Sequence, residues 1–183
     1  MNPGTALRRR QLAAACAISL LVLIGGGPGR AEEPGIEAID HVGLSTVDIE
    51  RSIHFYRDLF GMELVQRLDV SEQAEFDHIF DLEHVKAKGA ILRLGSMRIE
   101  LFEFLSPRGR APDLRQPVNN PRIYHICFAV KDIDKEYARL KAAGVPFHHA
   151  PEDFGVAKAA YGRDPDGNVF ELLQWKAKDA EAH

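Results

Sequence analysis

Two histidines and two glutamates recur at matching positions of the chain, and these residue types together can bind a divalent metal ion. His41 stands in the motif IDHVGL (39–44), and His125 holds the same place 84 residues later in IYHICF (123–128). Glu100 and Glu171 each lie between apolar neighbours in predicted strands. A carboxylate buried alone is costly or becomes protonated, and a cation removes that cost. Two imidazoles and two carboxylates suit Zn²⁺, Ni²⁺, Fe²⁺, Co²⁺ or Mn²⁺.

Strand periodicity places each histidine on a face of small side chains. His41 shares its side of the strand with Gly43, and His125 shares its side with Cys127 and Ala129, while bulky apolar residues occupy the opposite sides. This follows because side chains alternate across a sheet. We expect a helix to cover each bulky face, and the emptied face to leave room for an ion and a ligand. The same-side neighbours of the glutamates are larger: Phe102, Phe104, Leu173 and Trp175.

Each histidine strand leads into a predicted helix and then a hairpin. Asp48 and Asp132, seven residues after their histidines, are expected N-caps, and Gly61 and Gly144 stand at the C′ position. Predicted strands 90–94 and 97–105 flank a Gly-Ser turn, and strands 157–161 and 169–175 flank the turn DPDGN (164–168). The shape of segment 68–89 stays open. The repeat thus predicts two modules of one topology.

Residues 1–31 are predicted to be a signal peptide. Arginines at 8–10 precede an apolar run from Leu12 to Ile24, and a segment of small residues ends at Ala31, which is the order of a cleavable export signal. The run is short for a membrane span. We therefore expect a secreted or periplasmic protein without stable membrane association after cleavage. Arg9 and Arg10 also permit a twin-arginine signal, so the Sec and Tat routes both stay open.

The rest of the chain is acidic and suits one domain. Residues 32–183 carry 19 Lys and Arg against 27 Asp and Glu, which argues against nucleic acid as a partner. Cys127 is the only cysteine left after cleavage, so no intrachain disulfide is available. Four arginines lie in and beside the linker between the two modules, at positions 108, 110, 115 and 122. They either solvate the linker or clamp an anionic substrate. We divide the domain, 36–176, into module one (36–105), a linker (106–121) and module two (122–176), followed by a tail (177–183).

These motifs together resemble the vicinal oxygen chelate (VOC) superfamily, the group of glyoxalase I, methylmalonyl-CoA epimerase, extradiol dioxygenases and bleomycin resistance proteins. The resemblance covers residues 36–176 and rests on DHVGL (40–44), SIHFY (52–56), IEL (99–101) and DPDGN (164–168). It implies an α+β fold whose two βαβββ modules form a curved, cup-shaped mixed sheet around a metal. The modules pair within one chain or between the chains of a homodimer. The glyoxalase I pattern implies one ion with four ligands: His41, Glu100, His125 and Glu171.

The resemblance implies three functions, of which a metal-dependent lyase or isomerase is our leading hypothesis. There the ion chelates adjacent oxygens of a small-molecule substrate, and Glu171 or Glu100 takes a proton beside a carbonyl to give a stabilised enediolate. Extradiol ring cleavage at Fe²⁺ is the second hypothesis. Tyr161, ten residues before the last glutamate, favours it, whereas Ala160 fits its pattern poorly. A binding protein of the resistance type is the third, but it has no need of four ligands. The sequence leaves the substrate and the metal open.

Overall fold

The computed structural model of the protein describes residues 35–176. The predicted signal peptide, 1–31, and the tail, 177–183, lie outside the described residues, so export stays a prediction. Within the described part, no helix has the length and apolar character needed to cross a membrane.

Strands of the two halves form two four-stranded mixed sheets of the same topology. The first sheet contains β1 (His41–Ser45), β2 (Glu63–Ser71), β3 (Lys86–Leu94) and β4 (Met97–Ser106), in the order β1-β4-β3-β2. The second contains β5 (His125–Ala129), β6 (Glu152–Asp153), β7 (Ala157–Arg163) and β8 (Val169–Trp175), in the order β5-β8-β7-β6. In each sheet the histidine strand pairs in parallel with the glutamate strand. The predicted α+β class is confirmed.

Among residues 35–176, three helices accompany the sheets, and the predicted caps are confirmed. They are α1 (Ile49–Ile53), which continues as a π-helical segment (His54–Leu59), α2 (Ala74–Phe80) and α3 (Ile133–Ala142). The carboxylates of Asp48 and Asp132 each accept from the backbone N–H three residues later, at 3.1 and 3.0 Å. Gly61 and Gly144 have φ of 71° and 86°, a conformation that favours glycine after a helix. The π-helical turns are a feature that the spacing of apolar residues did not predict.

Segment 68–89, whose shape the sequence left open, completes the first sheet and places α2 on the glutamate side of it. The Phe80 ring of α2 lies 5.2 Å from the ring centroids of both Phe102 and Phe104. Phe102 and Phe104 share the Glu100 side of β4, since side chains alternate along a strand. An aromatic wall therefore stands beside Glu100, as the sequence predicts.

One buried apolar cluster is shared by both halves and lies on the sheet faces opposite the glutamates. Ile99 and Leu101 of β4 belong to one buried cluster with Phe170 and Leu172 of β8, together with apolar residues of α1 and α3. The Phe60 ring, at the end of the π-helical segment, contacts the Phe170 ring at 4.9 Å. Because neighbours along a strand point to opposite faces, the glutamates of β4 and β8 both point away from this shared core.

A buried polar network fastens the DPDGN turn to the first helix. The Asp166 carboxylate, whose side chain is 4% exposed, accepts from the Thr46 hydroxyl at 2.6 Å and from the Arg51 guanidinium at 2.7 Å. The Tyr56 hydroxyl donates to Asp164 at 2.8 Å, and burial raises the pKa of both groups. The sequence predicts DPDGN as a turn, and the structure adds its role as the connection between the halves.

Candidate metal centre

The first candidate pair joins the histidine of β1 to the glutamate of β4. The Nε2 atom of His41 lies 3.3 Å from Oε2 of Glu100, with the two side chains 43% and 24% exposed. Gly43 is the register partner of Glu100, so no β-carbon stands beside the carboxylate at that position. Gly43 therefore leaves space on this face of the sheet, as the sequence predicts.

Asp40 orients the imidazole of this pair. Its Oδ1 lies 2.8 Å from Nδ1 of His41, and its other oxygen contacts the Arg98 guanidinium. The hydrogen bond with His41 and the charge of Arg98 lower the pKa of the Asp40 carboxyl. A carboxylate on one ring nitrogen directs the other nitrogen toward an ion and raises its basicity. The repeat does not single out Asp40, because the second half has Tyr124 in its place. An acid next to a candidate histidine ligand is nevertheless a signal for this arrangement.

The second candidate pair repeats the geometry on β5 and β8. Nε2 of His125 lies 3.2 Å from Oε2 of Glu171, and the side chains are 23% and 14% exposed. Within the described part of the chain, Nδ1 of His125 is buried and has no hydrogen-bond partner. Tyr124 stands where the first half has Asp40. The second pair is therefore more enclosed than the first and lacks the orienting carboxylate.

Both pairs fit two neighbouring ligands of one divalent ion. Nitrogen and oxygen ligands at about 2.0–2.2 Å from an ion lie about 3.0–3.5 Å from each other when they occupy adjacent tetrahedral or octahedral positions. The observed separations, 3.3 and 3.2 Å, fall in that range. They exceed the length of about 2.9–3.0 Å that is most common for an N–H···O hydrogen bond.

Within one chain, the structure brings the four predicted ligands together only two by two. No group of three or more His, Cys, Asp and Glu side chains among residues 35–176 has the arrangement of a metal site. The physical reason is the shared core, because each pair lies on the face of its sheet that points away from that core. The four predicted ligands of one chain therefore form two separate His–Glu pairs.

Two further side chains lie close to the second pair. The ring of Tyr161 is 5.4 Å from the His125 ring, and Tyr161 is the register partner of Glu171. Burial, and then a hydrogen bond with Tyr124, raises the pKa of the Tyr161 phenol. Burial, and then the Glu171 carboxylate, raises the pKa of the Cys127 thiol to about 12.

A small cavity adjoins this pair. Its volume is about 210 Å³, and its lining includes His148, His149, Tyr161 and Glu171. The structure thus places His148 and His149 beside the second pair. Burial, and then the charge of Arg163, lowers the pKa of His148.

Comparisons with known proteins identify the family and agree with the fold. The model of the Glyoxalase/Bleomycin resistance protein/Dioxygenase superfamily matches residues 38–172. A lactoylglutathione lyase from Pseudomonas aeruginosa is 32% identical over 160 residues, which cover 80% of this chain and 90% of that protein. A lactoylglutathione lyase from Schizosaccharomyces pombe is 28% identical over 148 residues, covering 74% of this chain and 46% of that protein, so the chain spans about half of that relative. The crystal structure of a glyoxalase family protein from Bacillus cereus superposes with a TM-score of 0.71 at 24% identity, covering 78% of this chain and 97% of that one.

Proposed function

This chain belongs to the Glyoxalase/Bleomycin resistance protein/Dioxygenase superfamily, and from that membership we propose that it is a metal-dependent lyase or isomerase of the glyoxalase I type. The observation that carries the proposal is the pair of His–Glu contacts, 3.3 and 3.2 Å long, at equivalent places in the two halves. The substrate class is a small molecule with adjacent oxygen atoms.

We infer that the complete site forms between two copies of the chain. His41 and Glu100 of one copy would join His125 and Glu171 of the other, because the pairs of one chain point away from their common core. The histidine strands β1 and β5 are the edge strands of their sheets, and edge strands are suited to meeting a further strand. Apolar side chains flank both edges, since Ile39 is 84% and Ile123 is 81% exposed. A two-fold dimer would cover these residues and build two equal sites.

The chain's own groups supply the acid–base chemistry at this site. A bound divalent ion would polarise the substrate oxygens and stabilise the enediolate left by proton removal. Glu100 and Glu171 reach the substrate from different halves, so either carboxylate is able to take the proton beside the carbonyl, according to the face from which it leaves. The aromatic wall of Phe80, Phe102 and Phe104 supports the site by limiting water on the Glu100 side.

Extradiol ring cleavage is the second candidate, and one observation favours it. The Tyr161 phenol lies beside His125 and opposite Glu171, where it is able to donate to an oxygen of a bound catechol. The enzymes named among the relatives above are lyases rather than dioxygenases, which supports the first candidate. Oxygen uptake with iron-loaded protein and a catechol separates the two.

We also propose that the protein is exported, on the basis of residues 1–31. Export bears on the substrate, because thioesters of CoA and adducts of glutathione are chiefly cytosolic. The P. aeruginosa relative bears the name of an enzyme that acts on lactoylglutathione. For this chain a free small carbonyl compound or hydroxy acid is the better candidate outside the cytoplasm.

Metal analysis followed by an exchange assay tests the proposed function. Purified mature protein should hold about one divalent ion per chain, and the His41→Ala/His125→Ala double variant should hold almost none. The metal-loaded enzyme should exchange the proton beside a substrate carbonyl with deuterium from the solvent, without consuming oxygen. Full metal occupancy in the double variant would refute the site. Oxygen uptake would refute the lyase or isomerase function and support ring cleavage instead.

A further inference from the structure

The linker between the two halves is held against the DPDGN turn, which gives the adjoining cavity fixed walls. Gly167, with a φ of +83°, approaches so closely that a β-carbon there would lie 2.7 Å from the Leu114 α-carbon. The Arg163 guanidinium donates to the carbonyl oxygens of Gln116 and Gly167 at 2.9 and 2.7 Å. The linker is therefore packed onto module two at this point.

A cavity of about 480 Å³ lies between this linker and the end of β1. A volume of this size is typical of sites for small molecules. The cavity offers several hydrogen-bond donors to a ligand: Arg108, Arg110, Arg122, Ser45 and Gln116. Ser45 is the last residue of β1 and His41 the first, so about 13 Å of extended strand separates the cavity from the first candidate metal pair.

Arginine charges in the cavity are not balanced by the chain. Within residues 35–176, the Arg108 and Arg110 guanidinium groups make no hydrogen bond or ion pair. The described arginines outside the linker all donate to a carboxylate or a carbonyl oxygen. Of the two carboxylates that line the cavity, Asp166 is paired with Arg51 at 2.7 Å. The other, Asp113, offsets at most one of the three arginine charges in the lining. An excess of positive charge thus collects in one place on an acidic chain.

We propose that this cavity binds a small oxyanion that carries at least two negative charges. Guanidinium groups match the geometry of phosphate and carboxylate oxygens and stay charged at all relevant pH values. Arg108 and Arg110 supply two such groups, and the Ser45 hydroxyl supplies a neutral donor at the strand end. Phosphate monoesters and polycarboxylates share this chemistry. The site does not depend on the metal chemistry proposed above.

Calorimetric titration of the full chain with inorganic phosphate, and separately with citrate, tests the site. Saturable binding of at least one anion is expected, and it should weaken as salt is added. The Arg108→Gln/Arg110→Gln double variant should bind about tenfold more weakly, in line with the modest strength of exposed charge pairs. Arg115→Gln is the matched control, because its guanidinium is also unpaired but lines a different cavity. The control should bind like the wild type.

The anion that binds more tightly indicates the chemical class of the natural ligand. Tighter binding of phosphate points to phosphate esters, and tighter binding of citrate points to polycarboxylates. The proposal is overturned if neither anion binds saturably. It is equally overturned if Arg115→Gln weakens binding as much as the double variant, because the linker charge would then act without a defined site.

Discussion

Two variants that each lose the metal should recover it when they are combined in one dimer. His41→Ala removes a ligand from the first pair, and His125→Ala removes one from the second. Both histidines lie outside the shared apolar core, so neither substitution should unfold the chain. In a homodimer of either variant, each site lacks one histidine and should bind metal poorly.

The arrangement of the two pairs sets the size of the recovery. If each site takes its first pair from one copy and its second pair from the other, a heterodimer of His41→Ala with His125→Ala has one site without histidines and one intact site. Isolated heterodimers should then hold half the metal and half the activity of the wild type. A random mixture, in which half of the dimers are heterodimers, should reach about one quarter.

Co-expression of the two variants with different affinity tags, followed by sequential purification, gives the heterodimer for metal analysis and activity assays. The matched control is a heterodimer of His41→Ala with Glu100→Gln. Both of these changes affect the first pair, so each site retains one defect and no recovery is expected. The shared site is contradicted if the heterodimer of His41→Ala with His125→Ala, in a sample shown to be dimeric, holds no more metal than the control heterodimer. Full metal occupancy in either homodimer would also contradict it.

Three other predictions address the chemistry, the connection between the halves and export. Glu100→Gln should lower turnover about 10²–10⁴-fold because an amide is no general base, whereas Tyr161→Phe should change turnover little. Steady-state kinetics with the preferred metal measures both variants. For a ring-cleaving dioxygenase, Tyr161→Phe would be the more damaging of the two. Asp166→Asn should reduce the free energy of unfolding by about 2 kcal/mol, since a buried charge-assisted network is weakened. Asp58→Asn is the control, because Asp58 is an exposed acid paired with arginine. In denaturant melts this variant should keep the wild-type midpoint. Intact mass from the native host should place the mature start near Glu32, and an unprocessed chain would contradict export.

Much of the candidate site is visible in the sequence because the repeat duplicates it. His41 and His125 occur in equivalent motifs, and their small neighbours mark the emptied face without any knowledge of the fold. The N-caps Asp48 and Asp132 follow from residues within one helical turn. Such features depend on contacts between near neighbours in the chain, so a local pattern predicts them.

Partners far apart in the chain are beyond local patterns. Asp166 meets Thr46 across 120 positions, and no periodicity in either segment indicates that contact. Helix α2 covers the glutamate side of β4 through Phe80, although the sequence gives segment 68–89 no defined shape. In each case the partner is chosen by how whole elements pack.

The sequence by itself determined which residues are candidate metal ligands and which face of each strand they occupy, since side-chain alternation is a property of the strand alone. Only the tertiary structure decided how those faces are directed. Both sheets bury an apolar face in one shared cluster, because packing these faces together removes their apolar surface from water. The same packing turns the pair His41 and Glu100 and the pair His125 and Glu171 away from that core, and so keeps the two pairs separate among the described residues of one chain.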